Sequence, residues 1–192
     1  MRITESTLRQ LIRETLLTEA IVTPQASLDM GLHFVVSKIE GNIEISVTEG
    51  EKYIGELRAS KNQMPCSGAW SITWAYSKID GLGPLMYDLM MDLISPDPLS
   101  ADRHEVSSDA WRVWSFYLNS RSDIEAVQLD DSQNTLTRAD DDNCQQISAI
   151  QWSRKEGGSW QASPLSKAYR RKDGRTPTLN TLWRLGNLDL DG

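Results

Sequence analysis

At 192 residues the chain is long enough for one complete hydrophobic core, and its 39% hydrophobic and 24% charged content excludes an intrinsically disordered protein. With 20 basic against 27 acidic residues the net charge is -7, which argues against nucleic acid as a partner held through a general basic surface. Two cysteines, Cys66 and Cys144, are too few for a disulfide framework or a clustered metal site, and no apolar run reaches the roughly 18 residues of a membrane span, so a reducing cytoplasm, no metal and no membrane partner are expected.

Along the chain, Leu8, Leu11, Ile12, Thr15 and Leu16 recur at helical spacing and predict an amphipathic helix over 3–17. Thr18 to Asp29, containing Pro24, reads as a linker, so residues 1–29 form an appendage and residues 30–192 the main domain. From Leu32 the period changes to two. Strands are predicted at Leu32 to Ile39, Asn42 to Thr48, Lys52 to Ala59 and Ala69 to Ser77, the middle pair closing a hairpin over Glu49-Gly50-Glu51. In the last strand Trp70, Ile72, Trp74 and Tyr76 share one face, with Trp70 and Trp74 expected in the core, while Ser71, Thr73 and Ala75 supply small residues to the other.

Pro84 to Ile94 is predicted helical from the spacing of Leu85, Leu89 and Leu93. A second helix follows the Ser107-Ser108 cap, with Ala110, Val113, Trp114, Tyr117 and Leu118 as its buried face. Beyond it, Asp130 to Asn143 reads as an exposed polar loop, Gln146 to Ser153 as a strand and Thr178 to Leu185 as a closing helix. The pattern is an α/β (α+β) domain with a mixed, mainly antiparallel sheet flanked by helices.

The chemistry-bearing unit is the strand, then Lys78-Ile79-Asp80-Gly81-Leu82-Gly83, then a helix opening with Pro84. Glycines let a ligand approach the backbone, and the free N–H groups and dipole at a helix start favour a phosphate. A plain tight turn has the same residues. A Walker loop and a dinucleotide fingerprint are both excluded, the first for want of Gly-Lys-Ser/Thr, the second for want of a third glycine.

The order of hairpin, strand, Gly-x-Gly turn, helix, extended piece and helix resembles the GNAT superfamily of N-acetyltransferases over roughly residues 30–125. The turn of that superfamily is Gln/Arg-x-x-Gly-x-Gly/Ala, and Lys78, Gly81 and Gly83 stand at those places. More narrowly, Gly81-Leu-Gly-Pro-Leu-Met-Tyr-Asp88, Asp102-Arg103 and Val106-Ser-x-x-Ala-x-x-Val-Trp are similar to acetyltransferase-like proteins of large tailed bacteriophages. The resemblance implies acetyl-CoA as cofactor, held by Tyr76, Ser77, Lys78, Ile79, Gly81, Leu82, Gly83, Pro84 and Leu85, and an amine acceptor, either a protein or a small molecule. It also implies Tyr117 as the acid that protonates the leaving thiolate. The carboxylate common on the fourth strand of relatives is missing, which leaves Glu56 on the third strand as the candidate base. Lys78 in place of Arg or Gln, and Asp80 within the turn, depart from the superfamily pattern. The missing carboxylate and Asp80 favour the alternative of a catalytically inactive domain of the same fold serving as a virion-packaged or host-interaction protein, while the intact Gly81-Leu-Gly-Pro turn favours the enzyme.

Leu17-Thr18-Glu19 resembles the cleavage signal of phage prohead proteases, and the helix before it a capsid-targeting propeptide; an ordinary helix end running into a linker has the same residues. The resemblance implies cleavage after Glu19, packaging in the virion, and the capsid or prohead protease as partners, in the cytoplasm of an infected host cell.

Overall fold

A computed structural model describes residues 21–61, 66, 68–131 and 144–191. The helix predicted over 3–17, the cleavage signal at Glu19 and most of the polar loop before Asn143 lie outside the described residues.

The fold is a mixed α/β one, in which, among the described residues, five helices flank an eight-stranded, mostly antiparallel sheet of order β6-β7-β5-β4-β3-β2-β1-β8. Strands β1 (Leu32–Ile39), β2 (Asn42–Glu49), β3 (Lys52–Lys61) and β4 (Trp70–Ser77) form an antiparallel meander. Their alternation fixes which face is covered: Leu32, Phe34 and Val36 of β1 and Ile43, Ile45 and Val47 of β2 are all buried. A short helix, α1 (Pro24–Asp29), precedes them where a linker is expected; Thr23 caps it by accepting from the Ala26 N–H at 3.1 Å, and proline at its first position costs no hydrogen bond.

Helix α2 (Leu82–Ile94) crosses the covered face of the sheet and buries Leu82, Leu85, Met86, Leu89 and Met90. The short β5 (Leu99–Ser100) runs parallel to β4, and α3 (Ser108–Asn119) follows. Ser107 caps α3 by accepting from the Ala110 N–H, and Trp114 and Tyr117 are its most deeply buried residues.

The last third departs from expectation. The strand predicted at Gln146 to Ser153 is instead mostly helix: Ile147–Glu156 form α4, capped by the Gln146 side chain. Three strands escape prediction: β6 (Ile124–Gln128), β7 (Lys167–Arg171) and β8 (Leu188–Asp191). Helix α5 (Pro177–Leu185) falls where a closing helix is expected. Arg171 ties these parts together. Its side chain is 3% exposed, and its Nε donates to Asp92 of α2 at 2.9 Å. The other Asp92 oxygen accepts the Thr178 and Leu179 N–H groups and so caps α5 from the neighbouring α2. Burial pushes the Asp92 carboxyl up, and Arg171 opposes the shift.

Cys66 and Cys144 form one disulfide across 78 positions of sequence. It joins the end of the β3–β4 connection to the segment entering α4. Arg103, buried at 4% exposure, braces the same place by donating to the carbonyls of Cys144 at 2.6 Å and Leu165 at 2.8 Å. It meets neither Asp88 nor a ligand site.

Candidate active site

Strand β4 stays with β5 only through Trp70–Leu99 and Ser71–Ser100, then runs on to Ser77 alone on that side. At Thr73 an extra residue enters β4, because Ala59 faces Ile72 and Arg58 faces Trp74. Such a bulge reverses the alternation beyond it. Ile72 therefore packs inward at 3% exposure, while Trp74 and Tyr76 turn outward at 53% and 41%. This corrects the expected core role of Trp74. The same reversal puts the small Ala75 and Ser77 on the helix-bearing face.

A cleft of about 610 Å³ opens beside the unpaired half of β4. Ala75, Tyr76 and Ser77 line one wall, Ile79, Asp80, Gly81, Gly83 and Pro84 the turn, and Ala110, Val113 and Phe116 of α3 the opposite wall. Gly81 is the N-cap of α2 with φ 79°, a left-handed conformation that favours glycine, and it brings no side chain to the first-turn N–H groups. The Gly83 N–H is left without a side-chain cap, and a Cβ built at Gly83 meets nothing within 4 Å. Ser77 orders the turn: its Oγ accepts from the Ile79 N–H at 3.1 Å and donates to the Ile79 carbonyl at 2.8 Å. The Val22 N–H donates to the Gly81 carbonyl at 3.0 Å, which brings Ile21 to the cleft wall.

Of the nine residues expected around a cofactor, Tyr76, Ser77, Ile79, Gly81, Gly83 and Pro84 line the cleft. The side chains of Leu82 and Leu85 are core residues, at 0% and 3% exposure. Lys78 points elsewhere, donating to the Tyr53 carbonyl at 2.9 Å with its ammonium over the Tyr53 ring.

The two residues expected to carry proton transfer lie off the cleft. Tyr117 is 2% exposed and its hydroxyl donates to Asp88 at 2.7 Å, beneath the first turn of α2. Burial, then the Asp88 charge, hold its phenol protonated far above the usual range. Glu56 stands on the outward face of β3, directly across from Tyr76. One of its oxygens accepts from Tyr53 Oη at 2.6 Å, and the other is ion-paired with Arg58. Desolvation, then the Glu56 carboxylate, push the Tyr53 phenol up to about 12.

Sequence reasoning missed Ile21, Met86, Tyr87, Ser107, Arg112 and Phe116, all on the cleft. Val113 and Phe116 stand three apart on α3, as do Pro84 and Tyr87 on α2, so one helical face of each supplies the lining. Arg112 is a cation on the cleft that, among the described residues, is held by a 3.1 Å contact with Asp109, and both side chains are largely exposed. Comparison of the sequence with protein-family models gives no match, and comparison with curated proteins gives none either.

Proposed function

We propose that the protein is an acyl-CoA-dependent N-acyltransferase that moves an acetyl group from acetyl-CoA to an amine, as the resemblance to the GNAT superfamily implies. The observation that carries this reading is the parting of β4 from β5 after Ser71 and Ser100, with a cleft opening at that point onto the Gly81–Gly83 turn. The residues fit an acyl-CoA in three respects. The turn offers an uncapped helix start for the pyrophosphate. Ala75 and Ser77 leave room for a slender arm along the free edge of β4, whose N–H and C=O groups can pair with its amides. Val113 and Phe116 form an apolar wall suited to the rest of the chain.

When bound, the cofactor supplies the reactive acyl group: the amine nitrogen bonds to the acyl carbon, the carbon–sulfur bond breaks, and the proton lost by the amine ends on sulfur. Around that exchange the turn binds the pyrophosphate, Ser77 keeps the turn in shape, and α3 supplies the apolar wall. No carboxylate lies on β4, and Glu56 is committed to Tyr53 and Arg58. The acceptor's proton therefore leaves through water in this reading.

A second reading is favoured by Asp80 in the cleft and by Lys78 turned onto Tyr53, which together leave the turn poor in positive charge. In it the domain is catalytically idle and serves as a virion-packaged or host-interaction protein of a tailed bacteriophage, with capsid or prohead protease as partners. Calorimetric titration with acetyl-CoA separates the two. The acyltransferase binds it and, with an amine supplied, releases free thiol; an idle interaction protein releases none.

A further inference from the structure

Tyr87 of α2 is 4% exposed and lines the cleft. Trp114 meets its ring edge-on, with 5.2 Å between centroids, and fixes its direction. Buried phenols ordinarily find a hydrogen-bond partner. Tyr117 finds Asp88, and Tyr169 donates to the Pro164 carbonyl at 2.7 Å. Among the described residues no group hydrogen-bonds the Tyr87 hydroxyl. Tyr87 keeps a sliver of open surface and stands among the residues that line the cleft.

The serine hydroxyls of the cleft are spent on structure. Ser77 bonds Ile79 in both directions, and Ser107 caps α3. Tyr87 also feels the charge of Asp102, which lies two residues beyond the last β5 residue joined to β4. Its hydroxyl is thus a free donor on the cleft, on the side of Asp102.

We propose that the Tyr87 hydroxyl donates a hydrogen bond to the sulfur of the acyl-CoA and stabilises the thiolate as it leaves, an inference that rests on the acyl-CoA reading of the cleft. Tyr87 takes the place that the resemblance assigned to Tyr117. Burial, then Asp102, keep its phenol protonated far above the range in which a coenzyme thiol ionises, so its proton stays on oxygen throughout. The proton that completes the thiol comes from the attacking amine, and the exchange balances without a change in Tyr87.

The test reads the sulfur directly and needs no acceptor. Free CoA is bound to the protein, and its thiol is titrated through the ultraviolet thiolate band in wild type and in Tyr87→Phe, which keeps the ring and its packing on Trp114. A hydrogen bond to a charged group gives roughly a tenfold or larger effect, so the bound thiol should ionise about one pH unit lower in wild type than in the variant. Equal titration in the two, with CoA bound to both, overturns the assignment and leaves the cleft reading standing. Failure of wild type to bind CoA removes both. Should Y87F fail to fold by circular dichroism, incorporation of 3-fluorotyrosine makes the donor more acidic and should lower the thiol's ionisation further; an unchanged titration then overturns the proposal.

Discussion

The Tyr117 hydroxyl donates to the Asp88 carboxylate at 2.7 Å, and Arg121 grips the same carboxylate at 3.0 Å, so the phenol on α3 is a strut between two helices. Tyr117→Phe removes one hydrogen bond to a charged acceptor and should cost about 1.5–3 kcal/mol of stability. Asp88 keeps Arg121. Urea denaturation should show the loss, while the affinity for acetyl-CoA stays within about twofold of wild type.

Gly55 sits where β3 presses against the β4 backbone, and a Cβ there would lie 2.9 Å from the Tyr76 carbonyl oxygen. Gly55→Ala must push β4 toward the cleft, because the obstacle is backbone and cannot rotate away. Overpacking of this kind costs about 1–3 kcal/mol. The expected result is a lowered denaturation midpoint together with weaker acetyl-CoA binding; Gly41→Ala, a turn glycine with φ 76° and no atom within 4 Å, should lose stability without touching affinity.

The disulfide closes a loop of 78 positions and holds Cys144 where its carbonyl accepts from Arg103. Reduction, or the double substitution Cys66→Ser with Cys144→Ser, should lower stability by about 2–4 kcal/mol. Denaturation with and without reductant measures this directly. Equal midpoints would show that the bridge contributes nothing.

Arg121, by hydrogen bonds from its fork, holds the Asp123 carboxyl down at about 2. A carboxyl lowered in the folded state adds stability above its unfolded pKa of about 3.9, and that stability fades as pH falls toward the folded value. Stability should therefore drop between about pH 4 and pH 2 in wild type. In Asp123→Asn the drop should be shallower, as read from thermal midpoints across that range.

The meander and helices α2 and α3 were legible because their apolar spacing is regular and Ser107 gives α3 an ordinary serine cap. Strand β7 was not. Its Lys-Ala-Tyr-Arg-Arg reads as a basic surface run, and the partners Asp92 and Asp123, remote in sequence, together with Thr178 explain why Arg171 is buried. Helix α4 buries only Ser148 and Ala149, too little to impose a helical period. On β4 a single bulge at Thr73 inverted the reading of Trp74, since alternation carries no mark of an inserted residue. The glycine turn was found at its true place. Tyr87 was hidden because it lies inside an apolar run whose core role is written more plainly than its free hydroxyl.

The central claim is that the α2 start at Gly81 and Gly83 receives a phosphate-bearing cofactor. Gly83→Asp tests it most directly, because the position has room for a side chain and its φ is not left-handed, while a carboxylate there would repel the ligand. At about 100 times the dissociation constant, acetyl-CoA should stabilise wild type by about 2.7 kcal/mol and raise its melting temperature. The Gly83→Asp protein should fold and show no rise. A wild-type melting temperature that stays fixed under saturating acetyl-CoA, or an equal rise in both proteins, would contradict the account.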